Sequence, residues 1–533
     1  MTERLRVLVT DEVDPEGVAL LRSEAALEVD ELPTLPADEL LGRIGDYHAL
    51  VGRSATRISG ELLERGERLR VIGRAGVGVD NIDLERATEL GIAVINAPGG
   101  NTVSVAELAL GLLLALVRNL IPAATSMEAG RWDRSILGGS ELRGRTLAIV
   151  GLGRIGGEVA RRARAFGMQV VAYDPYVAAG RFEELGVERA EDLATALERA
   201  DVLTVHVPLS AETREMIGAP ELARLRPQAL LLNLARGGVV EENALLDALR
   251  AGRLAGAALD VYEREPLAAD HPFRRLPNVL LTPHLGASTG DAQRSVATEA
   301  CSAVRDALLT GDLSAALNAA GVGGPGWSEL GPLLALADRL ARLGRALLPG
   351  GVSGLELRYS GPREEAPRPL LLAALQGVLR DVVDRRAINL VNAQHVAEER
   401  GLETAWTHAG GHGEWGEEIE VRLEGGDRSL RVGGALLGEA HGRIVRIGAF
   451  RVDVAPRGTL LVLRNHDVPG VIGRVGTLLG EAGVNIAEYH QARLQAGGEA
   501  LAAVSIDTPV PREVLERLAS LAEVLEVRQV EME

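Results

Sequence analysis

The sequence predicts an α/β protein with two doubly wound parallel-sheet domains, followed by an α+β intermediate domain and a small α+β terminal domain. Three observations support this fold class. Short apolar strands alternate with helical stretches in the first half of the chain, and a glycine fingerprint follows one of those strands. Beyond a glycine cluster at residues 321–326, which is typical of a linker, the pattern changes to mixed helix and strand.

The first sheet is predicted from β-rich runs separated by patterned helical segments, the punctuation of βαβ units. These runs lie at residues 5–10, 49–52, 71–73 and 92–95. A second series of such runs predicts the second sheet. Its members lie at residues 146–150, 170–173, 202–207, 230–233, 257–260 and 279–282.

After the linker, residues 330–457 carry no catalytic signature and form the intermediate domain. From residue 458 the order is strand, D-V-P-G turn, helix, two more strands and a helix. A chain of 533 residues is long enough for these separate cores, because domains cluster at about 100 to 200 residues.

Composition narrows the function classes. The net charge of −18 disfavours nucleic acid and anionic membrane as partners, since both attract basic surfaces. All 57 basic residues are arginine, which excludes Schiff-base chemistry and a P-loop lysine. Cys301 is the one cysteine, so neither an internal disulfide nor a cysteine-rich metal site is expected.

The N-terminus and the apolar runs of the chain predict a cytoplasmic location. The N-terminus has no apolar segment of the signal-peptide type. The longest apolar run, residues 108–117, is too short to span a bilayer and is expected to be a buried helix. Asn101 and Thr102 are candidate caps for that helix.

A dinucleotide fingerprint follows the strand at residues 146–150. In G-L-G-R-I-G, Gly151 permits a tight turn, Gly153 lets the backbone approach a pyrophosphate, and Gly156 lets helix and strand pack closely. Asp174 ends the next strand, where a carboxylate accepts hydrogen bonds from ribose hydroxyls. Pro175 follows it instead of a basic residue, so NAD is favoured over NADP.

Three segments at predicted strand ends contain residue types that alcohol oxidation requires. Arg236 lies in N-L-A-R-G-G, Asp260 and Glu265 lie in L-D-V-Y-E-R-E-P, and His284 lies in T-P-H-L-G. A base must take the hydroxyl proton, an acid should orient that base, and a guanidinium can hold a carboxylate.

With these motifs, residues 1–315 resemble the D-isomer-specific 2-hydroxyacid dehydrogenase family. The resemblance implies that His284 is the general acid/base, Glu265 its partner and Arg236 the substrate clamp, while Asp260 lies near the nicotinamide. It also implies a substrate domain at residues 1–98 and 283–315 around a Rossmann NAD domain at 99–282. The implied NAD contacts are Gly151, Gly153, Arg154, Ile155, Gly156, Asp174, Pro208, Thr213, Ala235, Asp260, His284 and Gly286.

The motifs at residues 51–57, 74–83 and 96–102 are similar to those of family members that oxidise D-3-phosphoglycerate to 3-phosphohydroxypyruvate, the first step of L-serine biosynthesis. The G-R-W-D-R segment is similar to one that reaches a neighbouring subunit's site, although its arginines equally fit a solvated pair on a helix. The implied substrate contacts are Arg53, Ser54, Gly78, Asn101, Arg131, Arg134 and Arg236.

The C-terminal half resembles the long form of these enzymes, in which residues 330–457 are an allosteric substrate-binding-like intermediate domain and residues 458–533 an ACT regulatory domain. The resemblance implies that L-serine is an effector bound by Asp467 and Asn485, which are expected to lie close together. Asn465 departs from the pattern, because related serine-binding modules often carry a larger His or Tyr there. Three intermediate-domain arginines form either an anion site or a solvated face: Arg443, Arg446 and Arg451.

The resemblance also implies a homo-oligomer, dimer or tetramer, with the long helix near Asn101 packed against a partner subunit. Two other functions remain open at this point. One is a sister enzyme acting on glycerate, lactate, formate or phosphite, since the catalytic motifs are shared across the family. The other is an NAD-sensing corepressor on the same fold, against which the intact Arg236, Glu265 and His284 set argues.

Overall fold

Four β-sheets, of five, seven, six and four strands, occur in sequence order in this computed structural model, which describes residues 4–380, 388–438 and 440–532. The first two sheets are parallel throughout and are covered by helices. The predicted fold class, two doubly wound parallel sheets followed by two α+β domains, is confirmed.

The first sheet has the strand order β2-β1-β3-β4-β5. Its elements are β1 (Leu5–Val9), α1 (Pro15–Arg22), β2 (Leu27–Glu31), α2 (Ala37–Arg43), a 3₁₀ helix (Ile44–Asp46), β3 (Ala49–Gly52), α3 (Gly60–Arg65), β4 (Val71–Arg74), α4 (Leu84–Glu89) and β5 (Ala93–Asn96). The sequence analysis did not predict β2, because three of the five residues in L-E-V-D-E are acidic. The strand is an edge strand with only part of its surface buried.

The second sheet has the order β12-β11-β10-β9-β6-β7-β8. Its elements are α5 (Thr102–Val117), α6 (Leu120–Glu128), β6 (Thr146–Val150), α7 (Arg154–Ala165), β7 (Gln169–Tyr173), α8 (Ala179–Leu185), β8 (Glu188–Arg189), α9 (Leu193–Arg199), β9 (Val202–Val205), α10 (Ala219–Arg224), β10 (Ala229–Asn233), α11 (Glu242–Arg250), β11 (Leu254–Leu259), a 3₁₀ helix (Pro272–Arg275) and β12 (Val279–Leu281). Strands β6, β9 and β10 are buried at every position, as expected when helices cover both faces.

Helix α12 (Gly290–Thr310) returns the chain to the first sheet, where it packs against α1. The approach is close: a Cβ atom at Gly17 would lie 2.7 Å from the carbonyl carbon of Ala297. Helices α5 and α6 connect the two sheets. Among the described helices, none is by itself long and apolar enough to cross a membrane, and α5 with α6 meets such a test only as a pair bent by 64°.

The third sheet has the order β14-β13-β15-β16-β17-β18, and only the β13–β14 pair is parallel. Its elements are α13 (Trp327–Leu347), β13 (Gly354–Ser360), α14 (Pro367–Leu379), α15 (Ala393–Glu399), β14 (Glu403–Ala409), β15 (Glu417–Gly425), β16 (Arg428–Leu437), β17 (His441–Ile447) and β18 (Phe450–Val454). Helix α13 packs across β15 and β16.

The fourth sheet is antiparallel with the order β20-β21-β19-β22. Its elements are β19 (Thr459–His466), α16 (Val471–Glu481), β20 (Ile486–Arg493), β21 (Glu499–Ile506), α17 (Arg512–Ala519) and β22 (Val524–Glu531). The sequence reading did not include β22, whose alternating polar positions resemble a solvated tail.

One buried apolar cluster runs from the first sheet through α12, α13 and α14 to one face of the fourth sheet. Polar contacts join the same parts of the chain: Asn389 Nδ2 donates to the carbonyl oxygen of Gly91 at 2.7 Å. The C-terminal half is therefore packed on the first sheet as well as tethered to it.

Candidate functional site

The turn between β6 and α7 has the shape that a pyrophosphate needs. Gly151 adopts a φ of +94°, which a residue with a side chain rarely tolerates, and a Cβ atom at Gly156 would collide with the carbonyl oxygen of Gly151. A Cβ atom at Gly153, in contrast, would meet no atom within 4 Å, so open space lies beside that backbone. Helix α7 begins at Arg154, and the free amides at a helix N-terminus favour an anion.

Asp174 lies directly after β7, beside this turn. Its carboxylate accepts a hydrogen bond from the backbone N–H of Leu152 at 2.8 Å and another from Tyr176 at 3.0 Å. The hydroxyl of Tyr176 contacts Glu212 at 2.6 Å, so a second acidic side chain lies nearby. This negative surrounding suits ribose hydroxyls and disfavours a phosphate.

The other expected cofactor contacts occupy loops at the same edge of the sheet. Thr213 Oγ1 donates to the carbonyl oxygen of Pro208 at 2.6 Å, and the Ala235 amide donates to Asn233 at 3.1 Å. Ile155 is partly buried against the core of this domain. In parallel sheets the carboxyl ends of all strands lie at one edge, which is where these loops converge.

His284 and Glu265 are in direct contact. Nδ1 of His284 lies 2.7 Å from Oε2 of Glu265, while Oε1 accepts a hydrogen bond from the Tyr262 amide at 3.1 Å. His284 has a φ of +55°, the left-handed region that residues other than glycine seldom occupy. A strained backbone held at a polar cleft is typical of a functional residue.

Asp260 anchors the loop that carries His284. The side chain is fully buried, and its oxygens accept hydrogen bonds from Thr282 Oγ1 at 2.6 Å, from Leu285 N at 2.7 Å and from Gly286 N at 2.9 Å. The sequence reading named Asp260 and Gly286 only as cofactor contacts. The structure adds that this carboxylate holds the two residues that follow His284.

A cavity of about 800 Å³ brings the His284–Glu265 pair together with a loop of the first sheet. Ser54 and Ala55, at the tip of the loop after β3, line this cavity from the side of the first sheet. Arg274, which was not predicted, lies on the wall and donates to the Leu267 carbonyl at 3.0 Å. The lining residues are Ser54, Ala55, Tyr262, Glu265, Pro266, Leu267, Arg274, Leu281, Thr282, Pro283 and His284.

Three arginines form a cluster beside this loop, in which Arg53 and Arg236 lie close enough to Arg74 for their charges to act on it. Burial, with the charges of Arg53 and Arg236, lowers the pKa of Arg74 to about 10. Such a cluster favours an anion. Arg236 also lies 3.4 Å from Asp80, and a Cβ atom at Gly78 would collide with its guanidinium, so glycine makes room for the clamp.

Arg74 was not among the predicted site residues, although the motif at residues 74–83 begins with it. The available signal was an arginine at the end of an otherwise apolar buried strand, V-I-G-R. Such a charge is expected to have a function, because burying it unpaired is unfavourable. Its Nε is buried without a hydrogen-bond partner among the described residues.

Asn101 is the N-cap residue of α5, as predicted, although its side chain makes no capping hydrogen bond. The loop places Asn101 Oδ1 and Thr102 Oγ1 in buried positions without partners in the described part of the chain. An unpartnered buried oxygen is unfavourable unless a ligand or water meets it. Asn101 therefore stays a candidate substrate contact.

Arg131 and Arg134 lie beyond the end of α6 rather than on a helix, and both are exposed. Arg131 pairs with Asp133 at 2.9 Å. Neither arginine lines the cavity of this single chain.

The structure corrects the expected contact of Asp467 with Asn485. Strands β19 and β20 run in the same direction, because each is antiparallel to β21. Asn485, before β20, is thus at one end of the sheet, where it donates to Asp507 at 2.7 Å. Asp467, after β19, is at the other end and pairs with Arg493 at 3.2 Å.

The three intermediate-domain arginines each lie near a carboxylate. Arg443 contacts Asp453 at 2.6 Å and Glu488 of the fourth sheet at 3.2 Å, so it joins two domains. Arg446 and Arg451 line a cavity of about 370 Å³ together with Arg358. Arg451 is also 3.0 Å from Glu414.

Three family descriptions match successive parts of the chain. Residues 110–286 match the NAD-binding domain of the D-isomer specific 2-hydroxyacid dehydrogenases. Residues 329–448 match the D-3-phosphoglycerate dehydrogenase intervening domain, and residues 459–523 match the ACT domain.

Full-length relatives and solved structures agree with these matches. The chain is 38% identical over 530 residues to D-3-phosphoglycerate dehydrogenase of Methanocaldococcus jannaschii, covering 99% of this chain and 100% of the relative. It is 35% identical to the Bacillus subtilis enzyme of the same name, with 99% of both chains covered. A glyoxylate reductase structure from Paecilomyes thermophila is 30% identical with a TM-score of 0.55, covering 60% of this chain and 99% of that one.

Proposed function

The chain belongs to the D-3-phosphoglycerate dehydrogenase family, and on this premise we propose that the cavity at His284 oxidises D-3-phosphoglycerate to 3-phosphohydroxypyruvate with NAD, the first step of L-serine biosynthesis. The observation that carries this proposal is the 2.7 Å contact of His284 with Glu265 in a cavity that Ser54 also lines. A base, its orienting acid and an arginine-flanked loop thereby surround one space.

The His284–Glu265 contact supports the role of His284 as the base. When the imidazole is neutral, its Nδ1–H donates to Glu265, which leaves the lone pair of Nε2 free. Nε2 takes the proton of the substrate's C2 hydroxyl, and the Glu265 carboxylate stabilises the imidazolium that results. In reduction of the keto acid the same proton returns to the oxygen.

The fingerprint turn, the end of β7 and the loops that carry Pro208, Thr213 and Ala235 would hold NAD. When bound, NAD accepts the hydride that leaves C2 as the hydroxyl becomes a carbonyl. The open space at Gly153 and the amides of α7 suit the pyrophosphate, and Asp174 suits the adenosine ribose. Asp260 holds the loop that carries His284 by accepting hydrogen bonds from the amides of Leu285 and Gly286.

The arginine cluster supports a substrate with two anionic groups. Arg236 binds the carboxylate next to the reacting carbon, and Arg53, with Ser54, binds the other anionic end. Arg74 lies within electrostatic reach of both. Lactate, which has one anionic group, would leave part of this positive charge uncompensated.

The test is NADH formation from D-3-phosphoglycerate, D-glycerate and D-lactate, with an Arg53→Ala variant. We expect the highest kcat/KM for phosphoglycerate and a KM raised at least about tenfold in Arg53→Ala, since charge-assisted bonds are worth more than about 1.4 kcal/mol. Arg57→Ala, which removes an exposed arginine just past the loop, should leave KM unchanged. Faster oxidation of glycerate or lactate would refute the substrate assignment.

The proposal includes a homo-oligomer. Large apolar side chains are exposed along α6 and the segment after it, including Trp132 at 78% and Ile136 at 77%. Several large apolar side chains exposed within one short stretch of chain suit a subunit interface. Analytical ultracentrifugation should give at least a dimer, and Trp132→Glu combined with Ile136→Glu should lower the mass, whereas Trp415→Glu should not.

The proposal also includes L-serine as the effector of the ACT domain. Within the described residues β20 is an edge strand, so it is available for antiparallel pairing with β20 of a second copy. That pairing would move Asn485 of the partner subunit to the end of the sheet where Asp467 lies. The serine site then belongs to two chains, which accounts for the separation of the two residues in one.

A cytoplasmic location is part of the proposal. Burial raises the pKa of the Cys301 thiol to about 12, so the one cysteine stays protonated inside α12. A buried, unpaired thiol suits a reducing compartment. Fractionation with an antibody to the chain would test this location.

A further inference from the structure

We propose that Asp11 is a positioning residue for substrate binding: its carboxylate fixes the Arg53–Thr56 loop in the shape that presents Arg53 and Ser54 to the substrate's anionic group. The inference rests on the proposed function only in assigning that loop to the substrate. Asp11 follows β1 at the carboxyl edge of the first sheet, 42 residues before Arg53.

The Asp11 carboxylate receives four hydrogen bonds, and three of them come from the loop. Oδ2 accepts from the backbone N–H groups of Arg53 at 2.8 Å and Thr56 at 2.9 Å. Oδ1 accepts from the hydroxyls of Thr56 at 2.6 Å and Thr34 at 2.8 Å. A carboxylate has about four acceptor sites, so all of its capacity is used.

A second side chain holds the carbonyl groups of the same loop. Asn81 Nδ2 donates to the carbonyl oxygen of Arg53 at 3.0 Å and to that of Thr56 at 2.7 Å. The backbone is thus fixed on both sides at the two ends of the loop. Ser54 and Ala55, between those ends, are exposed and line the cavity that contains His284.

Two local features of Asp11, its burial and its backbone conformation, are energetically unfavourable. Asp11 is only 5% exposed, although carboxylates are rarely buried. Its φ is +66° and that of Glu12 is +51°, both in the left-handed region. Burial and strain of this kind persist when the surrounding contacts outweigh them, which is common at functional sites.

Asp11 also compensates the positive charge of the arginine cluster. Although burial acts to raise it, the hydrogen bonds from Thr56, Arg53 and Thr34 hold the pKa of Asp11 below its usual range, so the carboxylate stays ionised. Its charge, with that of Asp80, opposes the repulsion that Arg53 and Arg236 exert on Arg74. The loop and its arginines are therefore organised before substrate arrives.

The main test is Asp11→Asn. Asparagine has nearly the same shape as aspartate and tolerates a positive φ, but its NH₂ group is a donor and would face at least one N–H or hydroxyl group that also donates. We expect KM for the best-oxidised hydroxy acid to rise at least about tenfold, the effect of losing one or two charge-assisted bonds. We expect kcat to fall less than KM rises, and NAD affinity to stay within about twofold, because the fingerprint lies on another sheet.

Asp14→Asn is the matched control. Asp14 follows the same strand but caps α1, accepting a hydrogen bond from the Glu16 amide at 3.0 Å. Within the described residues the Asp14 side chain bonds to α1 and not to the loop, so KM should not change. Hydrogen exchange of the Arg53 and Thr56 amides should accelerate in Asp11→Asn and not in Asp14→Asn, which measures loop order without any substrate.

Thr34→Val provides a graded second variant if Asp11→Asn does not fold. It removes one of the four donors to Asp11 without touching the loop, so a KM increase of about two- to fourfold is expected, because the three bonds from the loop itself remain. An unchanged KM in folded Asp11→Asn would overturn the inference. If Asp11→Asn does not fold, an unchanged KM in Thr34→Val would do the same. A loss of NAD affinity as large as the rise in KM would also overturn it. Faster oxidation of another hydroxy acid by the unmodified chain would overturn only the substrate assignment, because the loop test uses whichever acid is oxidised best.

Discussion

At the scale of single residues, the contact between His284 and Glu265 determines which ring nitrogen is free. Glu265 has one oxygen on His284 Nδ1 and the other on the Tyr262 amide, so its carboxylate cannot rotate without losing a hydrogen bond. The carboxylate fixes the imidazole orientation, and Nε2 is left for the substrate. This arrangement makes His284 the residue whose loss should affect chemistry most.

We expect His284→Ala to lower kcat by about two to four orders of magnitude, the usual contribution of general acid/base catalysis. NAD affinity, measured by fluorescence titration, should stay nearly constant. His271→Ala is the matched control, because His271 also faces a carboxylate, Glu242 at 3.5 Å, yet does not line the cavity. Near-normal turnover of His284→Ala would remove this residue from the mechanism.

We expect Asp174→Ala to narrow the preference for NAD over NADP. The variant removes the carboxylate that suits ribose hydroxyls and repels a 2′-phosphate. The measurement is the ratio of kcat/KM for the two cofactors. Asp192→Ala, which removes the capping carboxylate of α9, should leave that ratio unchanged. Equal efficiency of the unmodified chain with both cofactors would contradict the assignment.

At the scale of elements, the residue directly after β9 is a histidine that the mechanism does not use. His206 Nε2 lies 2.9 Å from Thr204 Oγ1, while Nδ1 is buried without a partner among the described residues. Burial lowers the pKa of His206 to about 4. The folded chain therefore keeps this ring neutral at pH values where an unfolded chain, with a histidine pKa near 6.5, takes up a proton.

This difference predicts acid sensitivity of the NAD-binding domain. Between pH 6.5 and 4 the unfolded state binds the extra proton, so stability is fully present above about pH 6.5 and falls as pH decreases. We expect a loss of about 2 kcal/mol in the free energy of unfolding between pH 7.5 and 5. In urea unfolding, this loss of stability should appear in the transition whose midpoint rises when NAD is added, because NAD stabilises the domain that binds it.

The glutamine of His206→Gln cannot titrate in this range. The free energy of unfolding of this variant should therefore fall by about 2 kcal/mol less between pH 7.5 and 5 than that of the unmodified chain. His412→Gln is the control, since His412 is exposed in the intermediate domain. An unchanged pH dependence in His206→Gln would show that the ring is not held neutral.

At the scale of the whole molecule, the regulatory half is joined to the catalytic half by packing and by polar contacts. The apolar cluster that runs from the first sheet into the fourth includes Val51 and Leu460. Asn389 Nδ2 donates to the carbonyl oxygen of Gly91 across the two halves, and within the C-terminal half Arg443 links β17 to Glu488 of the fourth sheet. An effector that binds one subunit arrangement better than another can therefore change the population of the catalytic arrangement.

We expect L-serine to bind the full chain and lower its activity, with a coupling free energy of about 1 to 3 kcal/mol. Calorimetry and activity titrations should give matching affinities. Asp467→Ala and Asn485→Ala should each weaken serine binding and serine inhibition. Arg512→Ala, at an exposed side chain of α17, should change neither the binding nor the inhibition. Inhibition that is unchanged in both site variants would place serine elsewhere, for example at the active site.

The local sequence was enough to predict most of the two parallel sheets and the fingerprint. Buried strands such as β6 and β10 are continuous apolar runs, and Gly151 is required by a turn with positive φ, so short-range sterics and burial identify them. The strands it missed, β2, β8 and β22, carry polar residues at the edges of sheets. For these the hydrophobic signal is weak, and pairing with a neighbour decides the conformation.

The sequence by itself determined the fold class, the fingerprint and the residue types of the catalytic set. Only the tertiary structure decided which strand ends meet: Asp11 and Arg74 join Arg53 because parallel strands bring their carboxyl ends to one edge. The same directionality separates Asp467 from Asn485. The physical reason is that local sterics and burial choose a segment's conformation, whereas strand order and direction depend on contacts between residues far apart in the chain.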